Sequence, residues 1–455
     1  MSDEGILQND PICAPATPAG EGAIAVIRVS GEGAIQTVAG VFKSAARLQE
    51  APPNSANYGR IIGEKGETID DVIAVVFRSP NSYTGEDAVE ISCHGSPFIV
   101  ERIVRLLLSR GARLAEPGEF TKRAFLNGKI DLAQAEAVAE TIRARTEAAR
   151  RGAREQLDGK LSSRVAHFRK ELVEASSLLE LELDFAEEDI EFVEPARVVE
   201  RIDAARSEIA ELVDSYRRGK IIRDGVHLAV VGAPNVGKSS LLNWFLKEGR
   251  AIVSETPGAT RDVIREEAAI DGILFKIYDT AGIRETSEEI EREGVRRSRE
   301  AVANADVVLL LDAADLPPSE ALARELRESV GEERLVRALN KIDLDDSRAC
   351  DYDVAFSVKT DRGGSRLIDL LKRKALGGVA YSERSAITAN ARHLEALKRA
   401  NEFLGIARDS LAEGMSGEFV AADLRNAERA LAEIIGEVTT DDVLDNIFDN
   451  FCIGK

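Results

Sequence analysis

The stretch Gly232-Ala-Pro-Asn-Val-Gly237-Lys238-Ser239 lies between the apolar run HLAVV and the helical pattern SSLLNWFL, and it constrains the fold more than any other feature. A glycine-bearing loop of this spacing, between a strand and a helix, is a phosphate-binding P-loop. The glycines let successive backbone N–H groups curl around phosphate oxygens, and the helix that follows offers its positive end. Lys238 is placed to neutralise the β- and γ-phosphates, and Ser239 to offer its hydroxyl to Mg²⁺. Asn235, Val236, Gly237 and Ser240 complete this part of the expected nucleotide site.

Later segments extend the site. Asp279-Thr280-Ala281-Gly282 closes the apolar run ILFKIYD, with Asp279 expected to reach Mg²⁺ through water and the Gly282 N–H to meet the γ-phosphate. Asn340-Lys341-Ile342-Asp343 follows another apolar run. A carboxylate there accepts hydrogen bonds from guanine N1–H and its 2-amino group, an edge that adenine lacks, so the expected base is guanine. Ser357-Val358-Lys359 supplies a further base loop that acts mainly through its backbone. Between the first two motifs runs Ser254-Glu255-Thr256-Pro257-Gly258-Ala259-Thr260, in which Thr260 is the expected switch threonine on Mg²⁺. Where many GTPases carry a water-positioning glutamine, this chain has Ile283. Another group must then orient the water, and spacing alone leaves Glu285, Glu288, Glu289 and Glu291 open.

The rest of the chain frames this site. Its 455 residues suffice for two to four domains. A formal charge of −20 disfavours nucleic-acid binding by the surface as a whole, so such binding needs a local basic patch or a partner. The start MSDEGILQND resembles neither a signal nor a transit peptide, and no apolar run reaches the roughly 20 residues of a membrane span. Four scattered cysteines without a CxxC pair fit a reduced cytoplasmic protein, and Cys13 and Cys93 read as structural.

Residues 1–124 read as mixed α/β, with strands AIAVIRVS (23–30) and DVIAVVF (71–77) and a helix from Pro97 closed by Gly111. Residues 125–220 are helical: Leu157, Leu161, Val165, Phe168, Leu172, Ala175, Leu179 and Leu183 form one apolar face of a single long helix. In 221–380, strands HLAVVG, ILFKIYDT, DVVLLLD, RLVRALN and VAFSV alternate with helices, which predicts a mostly parallel sheet with a hairpin at Asp271-Gly272. Residues 381–455 are helical again, with Leu394, Leu397, Leu404, Leu424, Leu431 and Ile434 as core. The economical arrangement is a multidomain α/β chain: an N-terminal α+β domain, a discontinuous α-helical domain, and an inserted Ras-like P-loop α/β G domain. A separate C-terminal helical domain is the alternative.

Several segments resemble the tRNA modification GTPase family MnmE (TrmE). They are ATPAGEGAIAVIRVSG (16–31), NSYTGEDAVEISCHG (81–95), EPGEFTKRAFLNGKIDLAQAEAV (116–138), the nucleotide motifs, and the terminal Phe451-Cys452-Ile453-Gly454-Lys455. The resemblance implies a GTPase that, with the flavoprotein MnmG in a heterotetramer, adds an aminomethyl-type (carboxymethylaminomethyl) group at C5 of wobble uridine 34 in certain tRNAs. It implies that the N-terminal domain forms a homodimer and binds 5-formyltetrahydrofolate or 5,10-methylenetetrahydrofolate as one-carbon donor. It implies K⁺-dependent pairing of G domains that stimulates hydrolysis. By the same resemblance the folate contacts fall on Arg28, Glu90, Lys129 and Lys455, the catalytic glutamate on Glu291, and a further catalytic role on Cys452. The K⁺ site falls on Asn235, Ser254, Thr256 and Ala259; Ser254 and Ala259 depart from the threonines common in relatives, and Ala259 has only a backbone carbonyl to offer.

Arg143, Arg150, Arg151 and Arg154, with Arg217, Arg218, Lys220 and Arg223, are the most basic stretches, and are candidates for a tRNA or partner contact. The competing functional class is a regulatory GTPase of ribosome assembly, which predicts an appended RNA-binding module such as a KH domain with its GxxG clamp.

Overall fold

The computed structural model describes residues 10–43, 45–184, 195–248, 250–251, 266–279, 300–377 and 390–455. The chain divides into two compact units, Met1–Ala139 with Ala432–Lys455, and Glu140–Leu431.

The first unit is built on a six-stranded sheet of order β3-β4-β5-β2-β1-β6. Its strands are β1 (Ile12–Pro15), β2 (Gly22–Ser30), β3 (Ser55–Ile62), β4 (Thr68–Phe77), β5 (Ala88–Gly95) and β6 (Arg113–Leu114). All neighbours are antiparallel except β1 and β6. In β4, Val72, Ala74 and Val76 turn inward and alternate with more exposed residues, the period of a strand with one covered face. That face packs against α1 (Ala34–Ala39) and α3 (Pro97–Ser109). α3 begins with Pro97 in its first turn, where a missing N–H costs nothing, and buries Ile103, Leu106 and Leu107. Each such side chain contributes about 1.5–3 kcal/mol. The short α2 (Ala45–Glu50) joins this layer. After the sheet come α4 (Glu119–Leu126) and α5 (Leu132–Arg143). The terminal residues Leu444, Phe448 and Phe451 share an apolar cluster with Leu132 and Ala135.

The second unit carries helices and the nucleotide-type sheet. One expectation is corrected here. The apolar face that begins at Leu157 is not one helix: α6 (Glu147–Leu157) stops, the Asp158-Gly159 pair turns the chain, and α7 (Lys160–Asp184) starts afresh. Leu161, Val165, Phe168, Leu172, Ala175 and Leu179 are buried along α7, while the side chain of Leu183 lies outside the described residues. The spacing survives because a two-residue turn leaves the apolar period nearly in phase. α8 (Pro195–Asp224) leads directly into the sheet.

That sheet has seven strands in the order β13-β12-β11-β7-β10-β9-β8. They are β7 (Val226–Val231), β8 (Arg250–Ala251), β9 (Glu266–Ile270), β10 (Ile273–Asp279), β11 (Val307–Ala313), β12 (Leu335–Asn340) and β13 (Val354–Ala355). The five strands from β13 to β10 are parallel, and β9 and β8 add antiparallel pairs. Asp271 and Gly272 form the β9–β10 hairpin with φ of 48° and 81°, the left-handed pair a tight primed turn requires. β11 is buried at every position, because apolar clusters lie on both faces of the sheet. The run VAFSV forms strand only at Val354–Ala355. Phe356 and Ser357 leave the ladder and enter the loop described below.

The helices around this sheet are α9 (Lys238–Glu248), α10 (Glu320–Val330) and α11 (Gly364–Ala375), followed by α12 (Ala391–Ala412), α13 (Gly417–Ile435) and, in the first unit, α14 (Asp441–Phe448). Of the expected C-terminal core, Leu397, Leu404, Leu424, Leu431 and Ile434 are fully buried and Leu394 is partly so. No helix of the described residues is long and apolar enough to cross a membrane.

Candidate nucleotide and folate sites

The P-loop joins β7 to α9. Asn235 and Gly237 adopt φ of 65° and 103°, which breaks the strand direction and turns backbone groups inward. Val236 between them is buried and anchors the loop in the core below. Lys238 opens α9, and its ammonium donates to the carbonyls of Gly232 and Ala233 at 2.7 and 2.8 Å, drawing the loop around itself. Ser239 and Ser240 follow in the first helical turn and are exposed.

The base motif meets this loop through one side chain. Asn340 ends β12 and is buried; its amide donates to the Val236 carbonyl at 3.0 Å. Its carbonyl oxygen accepts the N–H of Lys341 at 2.8 Å and of Val358 at 3.3 Å. Three segments far apart in sequence therefore share one asparagine. A Cβ on Gly237 would lie 2.4 Å from the Asn340 amide nitrogen, so the position demands glycine for close approach as well as for φ. The buried Ser357 hydroxyl donates to Asp343 at 2.6 Å and, as the leading cause, holds that carboxyl below its ordinary value. Asp343 itself is exposed. Lys341 has φ 62° and its ammonium pairs with Asp315 at 2.9 Å, while Lys359 is exposed. Asp315 lies two residues beyond β11 and outside the sequence motifs.

Asp279 is the last residue of β10, and its register partner is Val230 of β7, so the strand end lies beside the start of the P-loop. Its side chain lies outside the described residues, as do Thr280, Ala281, Gly282 and Ile283. So do Ser254, Glu255, Thr256, Pro257, Gly258, Ala259, Thr260, Glu285, Glu288, Glu289 and Glu291.

In the first unit, antiparallel register sets Arg28 of β2 opposite Glu90 of β5. The guanidinium donates twice to one carboxylate oxygen, at 2.7 and 3.0 Å. Its central carbon lies 5.3 Å from the Tyr83 ring centre and 5.6 Å from that of Phe120, distances of cation–π contact. The Tyr83 hydroxyl meets Thr121 at 2.9 Å, which fixes the ring against α4. The loop that carries Tyr83 is held at both ends: Lys129 donates to the Pro80 carbonyl at 2.9 Å and Asn127 to the Thr84 carbonyl at 2.8 Å. Beneath it Arg123, 1% exposed, bridges Glu86, Glu119 and Asp10, pairing that a buried cation requires. Lys455 reaches the same helix through its backbone, whose carbonyl accepts the Phe120 N–H at 3.2 Å. Arg28 and Glu90 are thus in direct contact, and Lys129 and Lys455 are tied to the loop and helix that flank them. Motif reading missed Tyr83, Phe120 and Arg123. All three lie inside the segments NSYTGEDAVE and EPGEFTKRAF; Phe120 and Arg123 are buried and Tyr83 is exposed.

The other expectations distribute as follows. Cys13 and Cys93 are buried, and burial pushes both thiols up to about 11, so both are inert at neutral pH. Cys452 is exposed. Of the expected basic stretches, Arg150, Arg154 and Arg223 pair with Glu147, Asp158 and Asp224. The side chain of Arg217 lies outside the described residues.

Comparison with known proteins bears on the whole chain. The family profile described as GTP-binding protein TrmE N-terminus matches residues 11–129, and that of the MnmE helical domain matches 132–452. A tRNA modification GTPase MnmE of Chlorobaculum tepidum is 43% identical over 466 residues, covering 98% of this chain and 97% of that one. The protein of the same description from Chlorobium phaeobacteroides is 44% identical over 473 residues, covering 99% and 98%. That from Aquifex aeolicus is 43% identical over 453 residues, covering 98% and 100%.

Proposed function

The chain belongs to the MnmE family of tRNA modification GTPases, and from that premise we propose how its residues divide the work. It hydrolyses GTP, uses Mg²⁺ as GTPases do, and acts in tRNA modification. The observation that carries the residue assignments is the Asn340 bridge, which supports reading Val236–Ser240, Asn340–Asp343 and Ser357–Lys359 as one guanine-nucleotide site. Asp343 reads the base, and Ser357 orients it. Lys238 releases its loop carbonyls and meets the β/γ-phosphates, where a positive charge offsets the charge that develops during transfer. The exposed Ser239 hydroxyl is a hard oxygen donor suited to Mg²⁺. Thr260 would join it in holding the ion, Asp279 would support it, and the Thr280–Gly282 loop would meet the γ-phosphate.

K⁺ is a second cation in this reading. Its donors are oxygens: the exposed Asn235 side chain, with Ser254 and Thr256 and the Ala259 carbonyl. Bound there, K⁺ supplies positive charge near the phosphates. Glu291 orients the attacking water in the role that Ile283 cannot fill.

The first unit binds the folate, whose chemistry when bound is delivery of a one-carbon unit. The half-buried Arg28–Glu90 pair between two aromatic rings suits a flat heterocycle with a donor edge and an acidic tail. Glu90 takes the donor edge with Arg28 beside it, while Lys129 and Lys455 attract the carboxylates. Cys452, exposed near that end of the chain, serves at the modification site. The same sheet face leaves Ile24, Tyr58 and Ile73 exposed at 66%, 73% and 46%, which supports a homodimer through this unit. MnmG joins the dimer in a heterotetramer and supplies much of the affinity for tRNA, since this chain is acidic. The product is the C5-substituted wobble uridine, made in the cytoplasm. A ribosome-assembly role would ask for an appended RNA-binding module; residues 390–455 instead form α12–α14 and a terminal turn.

The test is GTP turnover by the full chain. Hydrolysis is faster in K⁺ than in Na⁺, and Glu291→Ala keeps GTP binding while losing turnover. Equal rates in the two salts would remove the K⁺ site, and full activity of the variant would move the water-orienting role to a neighbouring glutamate.

A further inference from the structure

Trp244, the chain's only tryptophan, projects from the P-loop helix α9 and is 8% exposed. Its indole N–H donates to the Asp361 carboxylate at 2.9 Å. Asp361 lies in the loop that begins at Ser357, with a left-handed φ of 58°. A Cβ on Gly364 would fall 2.5 Å from the indole ring and 3.0 Å from the Asp361 carboxylate. The ring is therefore seated directly on the backbone that opens α11. On its other side it meets Phe245 edge-on, with centres 5.3 Å apart.

The loop between these points is closed on itself. The Ser357 N–H donates to the Arg362 carbonyl at 2.9 Å, and the Thr360 N–H to the Ser357 hydroxyl at 3.3 Å. That same hydroxyl holds Asp343. A continuous path thus runs from the indole through Asp361 and the 357–362 turn to the carboxylate that reads guanine. Asn340 ties the P-loop to the base loop at the end of β12, and Trp244, itself part of the apolar core, ties the helix that follows the P-loop to the 357–362 loop.

We infer that Trp244 and Asp361 are positioning residues for guanine recognition: their hydrogen bond straps the Ser357–Arg362 loop to the P-loop helix and so fixes Asp343 for the base. The inference rests on reading Asp343 and Ser357 as the guanine contacts. The strap acts through Asp343, so its loss blurs selection of the base edge as well as weakening affinity.

Full-length protein with Mg²⁺ provides the test. Addition of GDP to the wild type shifts the emission of Trp244, and addition of ADP does not. Trp244→Phe keeps the aromatic packing and removes the donor. Asp361→Gly keeps the left-handed turn and removes the acceptor. Each weakens GDP about five- to tenfold, the scale of one typical intramolecular hydrogen bond. Asp361→Asn keeps both acceptor and turn and restores affinity. The double variant Trp244→Phe/Asp361→Gly binds no worse than either single, as a shared interaction requires. Preference for GTP over ITP, which lacks the 2-amino group, falls in the same variants. Wild-type affinity in both single variants, additive losses, or an unchanged GTP-to-ITP ratio would overturn the strap while leaving the guanine site intact. Failure of the wild type to bind GDP would overturn both.

Discussion

The side-chain amide of Asn340 donates to the Val236 carbonyl at 3.0 Å, so the residue that introduces the base motif also holds the phosphate loop. The 340–343 segment and the 232–239 loop are joined mechanically in this chain, and under the proposed reading of both as one nucleotide site that coupling has direct consequences.

Asn340→Ala removes the donor to Val236 and the acceptor for Lys341 and Val358. A buried polar group left without a partner costs about 1–3 kcal/mol. GDP affinity in a calorimetric titration should fall by at least about tenfold. Gly237→Ala meets the same contact from the other side: at φ 103° with a Cβ 2.4 Å from the Asn340 amide, strain of about 1–3 kcal/mol is added and nucleotide binding is lost. A variant that binds GDP as well as wild type would show that the two parts work independently.

Asp343 gives a pH signature. The Ser357 hydrogen bond lowers its folded value below the ordinary 3.8. The contribution of the ionised carboxylate is therefore complete above 3.8 and is lost only as pH falls through the lower folded value. Ser357→Ala withdraws the largest cause, so its acid loss begins at higher pH. Chemical-shift titration of the Asp343 carboxyl in both proteins checks the direction; identical midpoints would detach Ser357 from Asp343.

The Arg28–Glu90 pair predicts ligand-dependent stability. Binding to the native state alone raises the melting temperature. Saturating 5-formyltetrahydrofolate should therefore raise the melting temperature of the full chain. Arg28→Met and Glu90→Gln should each abolish that rise, since either leaves the other charge unpaired beside Tyr83 and Phe120. A rise that persists in both variants would move the folate elsewhere.

The parts legible in sequence were those with local grammar. The P-loop, Asn340–Asp343 and the Asp271-Gly272 hairpin depend on residue types at fixed short spacing, and each lies where its pattern indicated. The break at Asp158-Gly159 was hidden because the apolar period runs on through it. The pairing of Arg28 with Glu90 depends on strand register across 62 positions, which composition does not encode. The same holds for Trp244 and Asp361, which are 117 positions apart, and for Phe120 and Lys455. Those contacts are products of tertiary packing, and they carry the finer statements about the site.

Mass spectrometry of tRNA nucleosides from a strain lacking this GTPase tests its proposed service to wobble-uridine modification most directly. The C5-substituted uridines should be lost in that strain and restored by the wild-type gene, but not by one carrying Asn340→Ala. Unchanged wobble uridines in the deletion strain would contradict that role.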